Sequence, residues 1–150
     1  MNVLRIVGPS DAGKTTLVEE LVGRLDCRVA TVKSIHHDVE PDTPGKDTYR
    51  HRDAGADATV GVTPSRTFRI TEQGKGNDEV ETLYRILGEL ADDGYDVTLV
   101  EGFSAAALPA VVLGGREVPA EHVVARGDRA GDVDVDTVLT WLETAPPALE

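Results

Sequence analysis

The chain is short of several things, and each shortage narrows what it does. It carries one cysteine, Cys27, which excludes an internal disulfide and a CxxC metal site and leaves packing near a helix end as its expected role. No apolar run reaches the ~20 residues that cross a bilayer. The opening MNVLRIVG enters a strand pattern without a basic region or cleavage site, so a soluble, cytoplasmic protein is expected. Positive charge is scarce: 15 basic against 27 acidic residues give a formal charge of -12. Such a balance repels phosphate backbones and anionic lipid, and therefore speaks against nucleic-acid and membrane partners. Lysine is scarcest, with 4 against 11 arginines, and aspartate (15) exceeds glutamate (12). That bias resembles proteins of salt-rich cytoplasm.

Where lysine is avoided, the positions that keep it need a reason. Lys14 lies in a glycine-rich turn, Lys33 at the end of a strand pattern, and Lys46 inside a long charged loop. Lys75, in a GKG turn, needs no special role.

At 150 residues one domain with a single core is expected. Residues 3–7 read as a buried strand, and Leu17, Val18, Leu21, Val22 and Leu25 mark one face of a helix. A second strand covers 28–33. In the loop beyond it, Asp47 is placed to cap a helical turn that stops at Gly55. The β-rich runs 58–62 and 67–70, separated by TPSR, predict a hairpin. Asp78 and Glu81 form a capping-box pattern before a helix lined by Val80, Leu83, Leu87 and Leu90 and ending near Gly94. VTLV at 97–100 predicts a central strand, with further strands at 111–113 and 122–124. Val135, Val138, Leu139 and Leu142 share a face of a final helix, closed by Pro146 and Pro147. This alternation predicts an α/β fold: a three-layer sandwich of the P-loop NTPase type, mostly parallel, with a β-hairpin insertion.

GPSDAGKT, residues 8–15, matches G-x-x-x-x-G-K-[ST] between a strand and a helix. Gly8 and Gly13 permit the turn, and the backbone through Ser10, Asp11 and Ala12 supplies N–H groups for phosphate oxygens. Lys14 reaches the β- and γ-phosphates, the Thr15 hydroxyl suits Mg²⁺, and Thr16 suits the α-phosphate. The strand VTLVEG ends on Glu101, an acid at the point where P-loop proteins approach the metal shell. Lys14 and Glu101 are the catalytic candidates.

Residues 36–56, HHDVEPDTPGKDTYRHRDAGA, concentrate opposed charge in one loop. Zinc held by His36, His37 and His51 is one reading, weakened because adjacent histidines point apart and no cysteine supports them. A solvated disordered loop is another. A third is a substrate or partner loop beside the P-loop, made of His37, Asp38, Lys46, Asp47, Arg50 and Arg52, with Asp38 or Asp42 toward the metal and Lys46, Arg50 and Arg52 facing an anionic ligand. Placement after the second strand favours the third.

Together the P-loop, the segment Pro44-Gly45-Lys46-Asp47-Thr48 with Ala54-Gly55-Ala56, and the strand ending Glu101-Gly102-Phe103 resemble the molybdopterin-guanine dinucleotide biosynthesis protein B (MobB) family over most of residues 3–113. The resemblance implies a GTP-binding accessory protein, a homodimer, that assists attachment of GMP to molybdopterin by a molybdenum cofactor guanylyltransferase. The sequence departs from the family at Ser34, where a histidine is usual, at Ser104, where EGFK is usual, and at Leu108-Pro109-Ala110, where another lysine is lost. No strict guanine-reading N/T-K-x-D is present. Ala125-Arg126-Gly127-Asp128 offers Asp128 after a strand, where a carboxylate accepts from the guanine N1–H and N2 amino group; an acidic surface turn is the plainer reading. Two other functions fit the P-loop: a small-molecule kinase using ATP, and a non-catalytic module that holds nucleotide as a structural ligand.

Overall fold

A computed structural model describes residues 1–149. Asn2–Val7 (β1) is buried on both faces, as a strand covered by helices on both sides must be. It lies at the middle of a five-stranded sheet with Val29–Lys33 (β2), Val97–Glu101 (β5), Ala110–Leu113 (β6) and Val123–Gly127 (β7), in the order β2-β5-β1-β6-β7. Every pairing in this sheet is parallel. VTLV is therefore an interior strand, paired on both edges, while β1 is the central one.

Lys14–Arg24 (α1) and Val135–Thr144 (α4) cover one face. There Leu17, Leu21, Val138, Leu139 and Leu142 pack with Leu4, Ile6 and Leu99. Val22 does not join them and is 40% exposed, because it falls off the Leu17–Leu21 stripe by more than a quarter turn. Glu79–Asp92 (α3) covers the other face, where Leu83 and Leu87 meet Val3, Val100 and Phe103. Gly94, at φ +77°, ends α3, with the Tyr95 amide reaching back to the Leu90 carbonyl. Asp134 caps α4 by accepting from the Asp136 amide and the Thr137 hydroxyl. The three layers expected from the alternation are present.

The single domain expected from length divides into two compact units, residues 1–34 with 79–150, and residues 35–78. The second unit holds a short helix, Asp47–Asp53 (α2), and the predicted hairpin, Ala58–Val62 (β3) with Thr67–Thr71 (β4). Lys46, not Asp47, occupies the N-cap of α2, and no side chain caps it. Asp47 is instead the first helical residue, where its charge favours the helix dipole. No helix among the described residues is long and apolar enough to cross a membrane.

Candidate functional site

The P-loop follows from where β1 stops. β1 ends at Val7, and α1 begins at Lys14 with no acidic residue in its first turn, which leaves the positive end of the helix open toward an anion. Gly13 adopts φ +90°, and a Cβ there would stand 2.8 Å from the Cβ of Ala130. The Ala130 amide donates to the Ala12 carbonyl at 2.9 Å, so the segment after β7 is tied directly to the turn. Asp11 is also left-handed, at φ +64°, a conformation aspartate tolerates better than most residues. The Lys14 ammonium donates to the carbonyls of Gly8 (3.0 Å) and Pro9 (2.7 Å) and so folds back across its own turn.

Parallel register sets Glu101 beside both Ile6 and Lys33 at the carboxyl ends of three strands. The Thr15 hydroxyl donates to Glu101 Oε2 at 3.1 Å and Oε1 at 3.3 Å, and the Lys33 ammonium donates to Oε1 at 3.1 Å. The Glu101 side chain is only 13% exposed, so its charge needs these partners. Gly102, at φ +90°, lies so close to Ser34 that a Cβ would stand 2.9 Å from the serine Cβ. Ser10, Asp11, Gly13, Lys14, Thr15, Thr16, Lys33 and Glu101 line one cleft of about 310 Å³. A hydroxyl whose proton points at a carboxylate keeps its lone pairs for a hard cation, so Thr15 with Glu101 fits Mg²⁺.

Arg5 is the functional neighbour that sequence reading missed. It is fully buried in β1, and its guanidinium donates to the carbonyls of Phe103 (2.9 Å), Leu108 (3.3 Å) and Pro119. Burial lowers its pKa, and Tyr84 pulls weakly the other way. Arg5 thus braces, from below, the loop that leaves Glu101, including Phe103 at φ +51°. Ser104 and Leu108-Pro109-Ala110 belong to that same braced loop and its exit. The one available signal was an arginine inside an otherwise apolar strand.

The base-side candidate also shifts. β7 extends through Gly127, so Arg126 and Gly127 are strand residues, and Asp128 alone of that run follows it. Asp128 is exposed and lines a cleft with Val112, Gly115, Arg126 and Asp132 at the ends of β6 and β7.

Within residues 35–78, Arg52 is not open to an anionic partner as the sequence suggested. Its Nε donates to Glu72 at 2.8 Å and its Nη1 to Glu40 at 2.7 Å, which leaves the arginine side chain 13% exposed. The two carboxylates raise the guanidinium pKa. The same hydrogen bond, aided by the Asp42 amide, holds the Glu40 carboxyl below its ordinary value. Asp42 Oδ1 accepts from the Thr43 amide, while its Oδ2 is buried without a hydrogen bond. His37, Asp38, Lys46, Asp47 and Arg50 are exposed. No group of three His, Cys, Asp or Glu side chains gathers at metal-holding distance among the described residues.

Residues 3–133 match the family described as molybdopterin guanine dinucleotide synthesis protein B, MobB. The chain belongs to the MobB family. It is 40% identical over 106 residues to a putative molybdopterin-guanine dinucleotide biosynthesis adapter protein of Methanocaldococcus jannaschii, covering 71% of this chain and 42% of that one. It is 36% identical over 124 residues to the molybdopterin-guanine dinucleotide biosynthesis adapter protein of Escherichia coli, covering 78% and 69%. A crystal structure of a MobB protein superposes with a TM-score of 0.67 at 28% identity, over 94% of this chain and 99% of that one. The chain thus spans less than half the length of the archaeal relative. The MobB likeness covers the whole P-loop site, Glu101 and the 35–78 unit.

Proposed function

We propose that the chain binds GTP with Mg²⁺ at the Walker A cleft and serves as an adapter in molybdopterin-guanine dinucleotide biosynthesis, in the cytoplasm. One observation carries the nucleotide reading: Thr15 is hydrogen-bonded to the strand-end Glu101 within the cleft that Lys14 lines. Bound Mg²⁺ would neutralise phosphate charge there; Thr15 would hold it and Glu101 would orient its shell. Lys14 would leave its carbonyl partners for the β- and γ-phosphates. Family membership favours slow hydrolysis by an adapter over the kinase alternative. GTP over ATP is supported by family membership and by Asp128, whose segment is hydrogen-bonded to the P-loop.

The adapter role comes from the named relatives. Its partners would be molybdopterin or the molybdenum cofactor and the guanylyltransferase that uses it, with exposed Lys46 and Arg50 as the cations of the 35–78 unit that can meet them. Homodimer formation fits the outward face of β3, where Val60 is 55% and Val62 77% exposed. Calorimetric titration with GTP, ATP and molybdopterin in Mg²⁺ tests the reading. GTP binding stronger than ATP binding, with slow turnover, supports it. Rapid phosphoryl transfer from ATP to an acceptor would establish the kinase, and nucleotide binding without turnover the structural-ligand module.

A further inference from the structure

Lys33 is the lysine of the cleft that the proposed function leaves unused. It ends β2, one strand away from the P-loop strand, and parallel register sets it directly beside Glu101. Its ammonium lies 3.1 Å from Glu101 Oε1, on the carboxylate that also receives the Thr15 hydroxyl. The two side chains differ sharply in exposure: Glu101 is 13% exposed, Lys33 55%. A nearly buried carboxylate needs a counter-charge, and here a half-solvated cation supplies it. Lys33 also lines the same cleft as Lys14, Thr15 and Thr16.

We propose that Lys33 is an exchangeable counter-ion for Glu101, holding the acid in place before nucleotide binds and yielding it to the divalent cation that arrives with the nucleotide. This rests on the nucleotide reading above. A hydrated Mg²⁺ keeps several waters, whose protons seek the same carboxylate oxygens the ammonium uses. A cation of charge one and a cation of charge two a few ångströms apart repel, so the metal displaces the lysine or binds more weakly in its presence. The displaced ammonium stays in the cleft, beside the phosphates. Lys33 is thus a positioning residue that sets how much divalent cation the site needs.

The test uses the full chain saturated with GDP, titrated with Mn²⁺ and read by electron paramagnetic resonance of the free ion. Lys33→Met keeps the stem and removes the charge. Its Mn²⁺ midpoint is expected to fall about three- to tenfold, the range for losing one partly screened charge contact. Lys33→Arg, which keeps the charge, should hold the parent midpoint within about twofold. A melting curve for each variant confirms folding, and the half-exposed lysine makes both substitutions tolerable. A Lys33→Met midpoint equal to or above that of the parent overturns the proposal while nucleotide binding stands. Failure of the parent itself to bind either GDP or GTP removes the nucleotide reading, and this inference with it.

Discussion

The two units of the chain are held by different forces. Residues 1–34 and 79–150 contain all of the buried apolar side chains of the described core, on both faces of a five-stranded sheet. Residues 35–78 contribute none to it; their buried positions are Thr59 and Gly61, and Arg52 between Glu40 and Glu72 ties helix, loop and hairpin together. The first unit can therefore hold the geometry of its cleft rigidly, because close-packed cores resist deformation. The second is built from exposed polar contacts and a two-stranded ladder, which belong to the low-stability end of a protein. A rigid cleft in one unit and a soft, charged insertion as the other fit the proposed adapter role.

Core deletion should show the contrast most strongly. Leu87→Ala empties a fully buried position between α3 and the sheet and should cost about 2–5 kcal/mol of global stability, measured by urea unfolding. A loss below about 1 kcal/mol, the level of an ordinary surface change, would mean that the first unit is not governed by its core.

Changing the acid at the strand end comes next. Glu101→Gln keeps shape but removes charge, so Mg²⁺-dependent GTP hydrolysis should drop about 10–100-fold while nucleotide affinity changes less. Equal turnover in variant and parent would make Glu101 structural.

In the insertion, Arg52→Gln should speed amide hydrogen exchange across β3 and β4 and leave exchange in β1 and β5 unchanged. Uniform acceleration across both units would show that they unfold together, and the comparison would fail.

Acid should have the gentlest effect on the insertion. The folded Glu40 carboxyl lies below its ordinary 4.5, chiefly through the Arg52 hydrogen bond. A depressed acid supports the fold above its unfolded pKa, and that support is lost as pH falls from about 4.5 through the folded value. Exchange in residues 35–78 should rise over that window in the parent and lose most of this pH dependence in Glu40→Gln.

Much of this was legible in the residues. The apolar periods of α1, α3 and α4, and the run of VTLV, report burial directly, and the P-loop pattern specifies both its own turn and the helix that follows. The Thr15–Glu101 contact was foreseeable because a strand-end acid and a P-loop hydroxyl meet at the same end of a parallel sheet. Other features depend on partners far away in sequence. Arg52 looked like a cation for a ligand because Glu40 and Glu72 lie 12 and 20 residues away, and nothing local marks them as its partners. The role of Arg5 goes unmarked in the sequence because its partners, the carbonyls of Phe103, Leu108 and Pro119, lie about a hundred residues away. The end of β7 was set too early because Arg126 and Gly127 carry no apolar signal, yet they continue the ladder opposite Val112 and Leu113.

The central claim is that the Walker A cleft binds a nucleoside triphosphate through Lys14. Isothermal titration of GTP with Mg²⁺ into the parent and into folded Lys14→Ala tests it most directly. Losing a charge-assisted contact of about 1.5–3 kcal/mol predicts an affinity roughly 10- to 150-fold weaker in the variant. GTP affinity unchanged in the folded variant would contradict the nucleotide assignment.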